Sequence, residues 1–283
     1  MRLPYTFGES KTKGRMNMRK LMVCVLLLLS LASTASAWEE SCVSTPDFTY
    51  EDETRSISIQ KTVIDQSVCF IADVQIRDAE DLHAGLAQSD FEALSVMARR
   101  EGAVLAINAD DYRTHKYGVI IRNGQTLRVH NTTRHLLAIL PDGSFETVSD
   151  RSKEKADTLA KHLEDEQVQN TFEFGPVLVE NGEVADFPSA FDVISTRSTR
   201  REPRTAIGMI APKHYVILVV DGRQPGYSEG VSLQTLQQIF VDLGVQTAIN
   251  LDGGGSTELW FQGQILNQPA GGKERGISDC IWF

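Results

Sequence analysis

The sequence predicts an α+β protein with a single domain around a mixed β-sheet, crossover helices and an antiparallel meander. Three observations lead to this prediction. Short segments alternate apolar and polar residues, which is typical of half-buried strands. A strand–helix–strand passage over 215–250 favours a crossover in a parallel or mixed sheet. Turn sequences between the strands of 117–140 favour a meander.

The first predicted elements lie between residues 55 and 107. Segments 55–62 and 68–76 alternate in polarity and predict two strands. Apolar residues in 91–98 recur at helical spacing, with Ser89 or Asp90 as the N-cap. The apolar run 103–107 then predicts a buried strand.

The middle of the chain predicts the meander and a helix. Asn123 and Asp142, each followed by glycine, form its hairpin turns. The charged segment 150–169 predicts a solvated helix with little apolar face. Further strands are expected at 172–179, 205–210, 215–220 and 245–250. The clearest helix begins at Ser232, because the following apolar residues share one face: Leu233, Leu236, Phe240 and Leu243.

The N-terminus predicts export. Residues 18–20 are charged, 21–32 are apolar, and 35–37 form an Ala-x-Ala cleavage pattern, so 1–37 is interpreted as a signal peptide. Translation from Met16 or Met18 is an alternative start. No later segment is apolar enough to span a membrane. We therefore expect a periplasmic or extracellular protein, in which 38–99 supplies the first strands and helix and 100–283 the core.

Charge and cysteine content narrow the classes of partner. Removal of 1–37 changes the formal net charge from −10 to −15, which has the wrong sign for a nucleic-acid partner. Cys42, Cys69 and Cys280 would remain, and every disulfide pairing among the three is compatible with the sequence. Neither these cysteines nor the histidines show metal-ligand spacing, so no cofactor is expected.

Polar clusters follow several predicted strands. The sharpest is the glycine run at 253–255, which follows Asn250 and Asp252 and precedes Ser256. A glycine run favours a tight turn whose bare N–H groups form an anion site, and a carboxylate beside it can move a proton. A turn without a ligand is the alternative. The other clusters are 108–112, 174–176 and 221–223, and ligands gather at such strand ends in sheets with crossover helices.

Seven stretches, in order, resemble the phosphodiester glycosidase family: 106–112, 117–124, 174–182, 204–208, 218–223, 250–256 and 274–279. The resemblance covers about residue 100 to the C-terminus. Two positions depart from the family's pattern near the expected pocket. Ala109 replaces a usual glycine, and Asp111 stands where an aromatic residue or glycine is common. We expect these departures to affect the substrate more than the fold.

The resemblance implies hydrolysis of a sugar-1-phosphodiester in a cell-envelope or extracellular glycan. Asp252 is the first candidate for the carboxylate that activates water or attacks the anomeric carbon, and Asp110 is the second. Arg204 and Arg223 are candidates for pairing with the phosphate. The remaining candidates for substrate binding are Asn108, Gly175, Asp221, Asn250, Gly253, Gly254, Gly255 and Ser256.

Two alternatives stay open from the sequence. The first is a non-catalytic protein that binds anionic glycans within a polysaccharide assembly or export system, which the departures at Ala109 and Asp111 favour. The second is a divalent cation bound near Asp110, Asp111 and Asp252, because clustered carboxylates attract hard cations. No ligand spacing supports this cation.

Overall fold

The computed structural model describes residues 45–149, 155–186 and 199–283. The predicted signal peptide, Cys42 and residues 150–154 and 187–198 lie outside these ranges. Residues 46–283 group into one compact unit. The helices of the described residues are α1 (Leu94–Glu101), α2 (Ala156–Asp165) and α3 (Leu233–Asp242), and two 3₁₀ turns span Ala79–Asp81 and Gly254–Ser256.

The described strands form four sheets. In chain order the strands are β1 (Phe48–Glu51), β2 (Arg55–Ile64), β3 (Ser67–Ile76), β4 (His83–Leu86), β5 (Leu105–Asn108), β6 (Gly118–Arg122), β7 (Gln125–His130), β8 (Leu136–Ile139), β9 (Phe145–Val148), β10 (Asn170–Phe172), β11 (Val177–Glu180), β12 (Glu183–Val184), β13 (Arg204–Ala211), β14 (His214–Val220), β15 (Thr247–Asn250), β16 (Leu259–Phe261), β17 (Gln264–Ile265) and β18 (Asp279–Trp282).

The largest sheet has eight strands in the order β1-β2-β3-β14-β13-β15-β11-β12, and a second has five in the order β17-β16-β5-β18-β4. Two smaller sheets are β10-β8-β9 and β6-β7. Together with the helices, these sheets confirm the α+β class. Strands β14 and β15 run in the same direction and are joined through α3, as a crossover requires. However, β13 lies between them, so each neighbouring pair in the described sheets is antiparallel.

The main apolar core lies between the two large sheets. Phe70 and Ile217 of the eight-stranded sheet share it with Ile107, Phe261 and Ile281 of the five-stranded sheet. A helix covers the outer face of each sheet: α3 packs on the first through Leu236 and Phe240, and α1 packs on the second through Leu94 and Met97. Burial of these side chains stabilises the layers by roughly 1.5–3 kcal/mol each.

The predicted strand and helix boundaries agree with the structure in part. The two predicted strands β2 and β3 pair as an antiparallel hairpin, and the Ser232 hydroxyl accepts a hydrogen bond from Thr235 N at the start of α3. Helix α1 begins at Leu94 rather than near residue 91, because Glu92 pairs with Ile277 in an isolated β-bridge. The N-cap residue of this helix is Ala93, whose side chain forms no capping hydrogen bond.

Two predictions in the middle of the chain were wrong. The strands of 118–148 are not one meander: β6 pairs with β7, whereas β8 pairs with β9 and β10. The charged helix also has an apolar face, since α2 buries four residues against β6 and β8. These are Ala156, Leu159, Ala160 and Leu163.

Candidate active site

A small cavity of about 20 Å³ opens beyond the ends of β5 and β15. Its size is that of about one water molecule. A ligand larger than a water molecule therefore has to bind across its mouth. The lining residues come from the loops after both strands and from the segment before β18: Phe91, Asn108, Ala109, Asp111, Thr114, Asp252, Ser256, Arg275, Gly276, Ile277, Ser278 and Asp279.

Asp252 is the predicted catalytic residue that faces this cavity. Its Oδ1 accepts a hydrogen bond from Gly253 N at 2.9 Å, and its Oδ2 lies 3.6 Å from Arg275 Nη2. Burial and the negative charge of Asp111 raise the pKa of Asp252 to about 6. The carboxyl group therefore changes charge close to neutral pH, which suits a group that moves protons.

Asn108 holds the loop of Asp252 in place. Its Nδ2 donates to Asp252 O at 2.5 Å, and its Oδ1 accepts from Thr205 Oγ1 at 2.7 Å and from Glu258 N at 3.1 Å. The side chain is buried and every one of these bonds is internal, although Asn108 also lines the cavity. We conclude that Asn108 positions Asp252 through the backbone.

Two arginines flank the glycine turn. A Cβ atom on Gly254 would lie 2.9 Å from Arg223 Nη2, and one on Gly255 would lie 3.2 Å from Arg275 Nη1. A side chain at either glycine would therefore require the neighbouring guanidinium group to shift. Both side chains are about half exposed, so they can pair with a phosphate. Arg223 is oriented by Glu202, whose Oε2 accepts from Arg223 Nε at 2.5 Å.

Two backbone amides of the glycine turn do not form the predicted anion site. Gly253 N donates to Asp252 Oδ1 at 2.9 Å, and Gly254 N donates to Pro203 O at 3.0 Å. These two amides are therefore committed within the protein rather than presented to an anion. The positive charge beside the turn comes from side chains.

Arg204 does not reach the cavity. Strand β13 alternates its side chains, so Thr205 points to Asn108 while Arg204 points to the opposite face of the sheet. There the guanidinium donates to Val231 O at 3.1 Å and to Arg200 O at 2.9 Å. The structure thus separates Arg204 from Asp252, although their backbones are neighbours through Gly254.

Asp110 is held in a buried ion network. Arg122 Nη2 lies 3.0 Å from Asp110 Oδ1 and 2.6 Å from Asp279 Oδ2, and Glu173 N donates to Asp110 Oδ2. Burial acts against ionisation of Asp110, but the Arg122 charge and these hydrogen bonds hold its pKa below the usual range. Burial and the charge of Asp110 raise the pKa of Asp279. Asp110 is absent from the cavity lining, so its position indicates a structural ion pair.

Three other candidates make internal contacts. Asp221 accepts from Asn267 Nδ2 at 2.9 Å, from Tyr227 Oη at 3.0 Å and from the Gln268 amide. Asn250 Nδ2 donates to Gly175 O at 2.9 Å, and Gly175 N donates back to Asn250 O. These contacts fasten the loops around the strand ends.

Ser256, a predicted substrate-binding residue, lies on the cavity wall. Its hydroxyl acts to lower the pKa of Asp252, against the effect of burial. The structure therefore brings together Asn108, Asp252 and Ser256 at the cavity, with Gly253, Gly254 and Gly255 and the Arg223 guanidinium alongside.

Sequence reasoning missed Arg275 and Glu258. Arg275 N donates to Glu258 Oε1 at 3.0 Å, and Ser95 donates from its amide and hydroxyl to Glu274 at 2.8 and 2.6 Å. These carboxylates fix the segment that carries Arg275. Burial raises the pKa of Glu258 to about 8. The sequence signal for Arg275 was its position within 274–279, a stretch that resembles the family. The spacing of Arg275 from the other candidate residues follows no helical or strand periodicity.

Asp111 lines the cavity together with Asp252 and Asp279. Its backbone has φ of 59°, in the left-handed region that non-glycine residues seldom adopt. Thr114 Oγ1 donates to its Oδ2 at 2.8 Å, while Arg134 Nη1 and His115 Nε2 lie 3.1 and 3.4 Å from its Oδ1. The negative charge of Asp111 acts on Asp252, whose pKa it helps to raise.

Neither a metal-binding cluster nor a membrane-spanning helix is present among the described residues. Within 45–149, 155–186 and 199–283, no group of three or more His, Cys, Asp and Glu side chains is arranged to hold a metal ion. Cys69 and Cys280 are buried free thiols. In those same ranges, no helix combines the length and apolar character required to cross a membrane.

Comparisons with known proteins identify the class of protein that this fold and site define. The sequence pattern of the family described as phosphodiester glycosidase matches residues 101–283. The chain therefore belongs to the phosphodiester glycosidase family. This membership and the fold support a glycosidase-type function.

The sequence identity to an individual relative is low. The chain is 28% identical over 197 residues to the SPbeta prophage-derived uncharacterized protein YomE of Bacillus subtilis (strain 168). This match covers 67% of the chain but only 29% of that relative's length.

Solved structures share the fold. The catalytic domain of zebrafish N-acetylglucosamine-1-phosphodiester alpha-N-acetylglucosaminidase, auto-inhibited by its pro-peptide, has a TM-score of 0.62 at 18% identity, with 81% of this chain and 82% of that chain covered. A hypothetical protein from Synechocystis has a TM-score of 0.56 at 18% identity, with 85% and 64% covered. A putative exported protein from Burkholderia pseudomallei K96243 has a TM-score of 0.53 at 14% identity, with 76% and 74% covered.

Proposed function

We propose that this protein hydrolyses a sugar-1-phosphodiester and releases the free sugar from a phosphate that remains attached to another group. One observation carries the proposal. The Asp252 carboxyl group and the Arg275 guanidinium meet at the mouth of one cavity, 3.6 Å apart, beside a glycine turn that Arg223 flanks on its other side. A proton-transfer group thus lies next to two cations suited to phosphate.

The reaction needs both kinds of group. When the bond between the anomeric carbon and the phosphate oxygen breaks, its electron pair leaves with the phosphate and the sugar becomes oxocarbenium-like. Arg275 and Arg223 stabilise the departing phosphate, which requires less protonation than a sugar alkoxide. Above pH 6, ionised Asp252 either takes a proton from the attacking water or attacks the anomeric carbon itself.

Ala109 is compatible with this activity. Its N–H donates to Asp279 O at 3.2 Å, and its carbonyl accepts from Asp252 N at 2.9 Å. Alanine makes both backbone bonds as glycine would. The departure from the family's pattern therefore leaves the support of Asp252 intact, which favours turnover over binding alone.

The direct test is sugar release from a synthetic glycosyl-1-(alkyl phosphate) by purified protein. We expect Asp252→Asn to lower kcat/KM by a factor of about 10²–10⁴ and Arg275→Ala by about 10²–10³. Arg77→Ala is the matched control, since Arg77 is exposed and absent from the cavity lining. Equal rates in wild type and Asp252→Asn would refute the mechanism. Glycan binding without hydrolysis would support the alternative of a non-catalytic binder.

We also propose that the protein is exported and acts on a cell-envelope or extracellular glycan. The N-terminal charge, apolar run and Ala-x-Ala pattern support this proposal. Fractionation of cells that make the full chain should place the protein outside the cytoplasm, with Trp38 as the new N-terminus. Retention of the uncleaved chain in the cytoplasm would refute export.

A further inference from the structure

An exposed aromatic ring stands at the mouth of the cavity. Phe91 lines it together with Asp252 and Arg275, yet the residue is 48% exposed. Burial normally hides a phenylalanine in a domain of this size, so an exposed ring is informative where it borders a polar site. Among the exposed large apolar residues of the described ranges, Phe91 is the one that borders this cavity.

The backbone of Phe91 is fixed although its ring is exposed. The next residue, Glu92, exchanges two 2.9 Å hydrogen bonds with Ile277, and Ser89 Oγ donates to Phe91 O at 2.8 Å. Gly276 permits the close approach, because a Cβ atom there would lie 2.8 Å from Phe91 Cβ. The segment that carries Arg275 therefore packs directly against the residue that carries the ring.

We propose that Phe91 is the platform on which the sugar ring of the substrate stacks. This inference rests on the proposed function. A pyranose presents C–H groups on one face, and these are attracted to the electron-rich face of an aromatic ring. The phosphate on the anomeric carbon then lies toward Arg275, next to Gly276 and hence next to the ring.

The platform defines a substrate class. The ring favours sugars that have an uninterrupted apolar face, and it contributes nothing to inorganic phosphate, which the arginines bind. Phe91 also precedes residues 101–283, the part of the chain that matches the family. Sugar selectivity in this protein is thus set partly by a segment outside the family match.

Binding to the Asp252→Asn protein tests the platform without requiring turnover. Calorimetry would use inorganic phosphate and the 1-phosphates of glucose, N-acetylglucosamine, mannose and galactose. We expect Phe91→Ala to weaken the best sugar phosphate about tenfold, the loss of one stacking contact, and to leave phosphate unchanged. Phe91→Trp should retain affinity, and Phe91→Leu should lose it because leucine has no ring face. Val96→Ala, at an exposed apolar residue outside the cavity lining, is the control.

The outcomes separate this inference from the proposed function. Unchanged sugar-phosphate affinity in Phe91→Ala would overturn the platform, even if wild type hydrolyses its substrate. Equal losses for the sugar phosphates and phosphate would also overturn it, because Phe91 would then act only through Arg275. Failure of all four sugar phosphates to bind any of these proteins would overturn it as well. Absence of hydrolysis by wild type, with the expected affinity pattern, would refute the activity and leave the platform standing.

Discussion

Asp252→Asn should stabilise the fold at neutral pH, with a magnitude that depends on pH. Burial and the charge of Asp111 raise the pKa of Asp252 from 3.8 to about 6. The folded protein therefore binds this proton more tightly than the unfolded chain. The resulting stability is present below pH 3.8 and is lost as the pH rises through about 6. Asparagine is neutral throughout and avoids the loss.

The size of the effect follows from the pKa difference. A shift from 3.8 to about 6 corresponds to roughly 3 kcal/mol against the ionised form at pH 7.5. At pH 4.5 most of the proton remains bound in the folded state, and the same pKa values leave roughly 1 kcal/mol. Between these pH values, the stability difference between Asp252→Asn and wild type should therefore change by roughly 2 kcal/mol. Asparagine Oδ1 can still accept from Gly253 N, so the hydrogen bond itself cancels in this comparison.

Urea unfolding of wild type and Asp252→Asn at pH 4.5 and pH 7.5 measures this change. Asp142→Asn is a control for which little pH dependence is expected in this range, because hydrogen bonds from the Ser144 side chain and amide lower the pKa of Asp142 below 3.8. The stability that this ionised group contributes is lost only at pH values below those of the experiment, so the difference between that variant and wild type should stay nearly constant from pH 4.5 to pH 7.5. A stability difference for Asp252→Asn that is equal at both pH values would show that Asp252 is not held in an environment hostile to its charge.

Two further predictions concern the supports of the site. Arg122→Ala should lower the free energy of unfolding by about 3–5 kcal/mol, because Asp110 and Asp279 would remain buried without their cation; a urea midpoint close to that of wild type would contradict this. Gly254→Ala should cost about 1–2 kcal/mol for its φ of 62° and push Arg223 away, and calorimetry with phosphate should show weaker binding. Unchanged phosphate affinity would mean that Arg223 does not contact the anion.

Local patterns predicted the elements well where neighbours in sequence decide the structure. The hairpin β2–β3 and the Ser232 cap of α3 depend on residues a few positions apart. The meander failed because β8 pairs with β10, across the whole of α2. The apolar face of α2 was missed because alanines supply half of it among charged residues, which dilutes its helical periodicity.

The site was predictable only in its strand-end residues. Asn108 and Asp252 each follow an apolar strand, so the sequence predicted both at strand ends, although β5 and β15 belong to different sheets whose ends meet at the cavity. Arg275 reaches the same cavity because β18 pairs with β5 in a register that sets Cys280 opposite Asn108. That pairing joins residues far apart in the chain, and no local pattern reveals it. The prediction that Arg204 faces the site failed for a related reason. The alternation of side chains along β13 determines on which face of the sheet Arg204 lies, and only the tertiary position of β13 shows which face holds the site.

The surroundings of the two carboxylates favour Asp252 over Asp110 for the proposed reaction. Around Asp110 the folded state pairs the charge with Arg122 and an amide, which is how buried ions are stabilised, although burial and the charge of Asp110 raise the pKa of the neighbouring Asp279. Around Asp252 the folded state does the reverse, since Asp252 and Glu258 both have raised pKa values. Among the described residues, Glu258 Oε2 and Thr257 Oγ1 are also buried without a hydrogen-bond partner. Unfavourable electrostatics gathered in one turn are the expected cost of a site that must exchange protons and bind a ligand, so they favour this turn as the place of the proposed reaction.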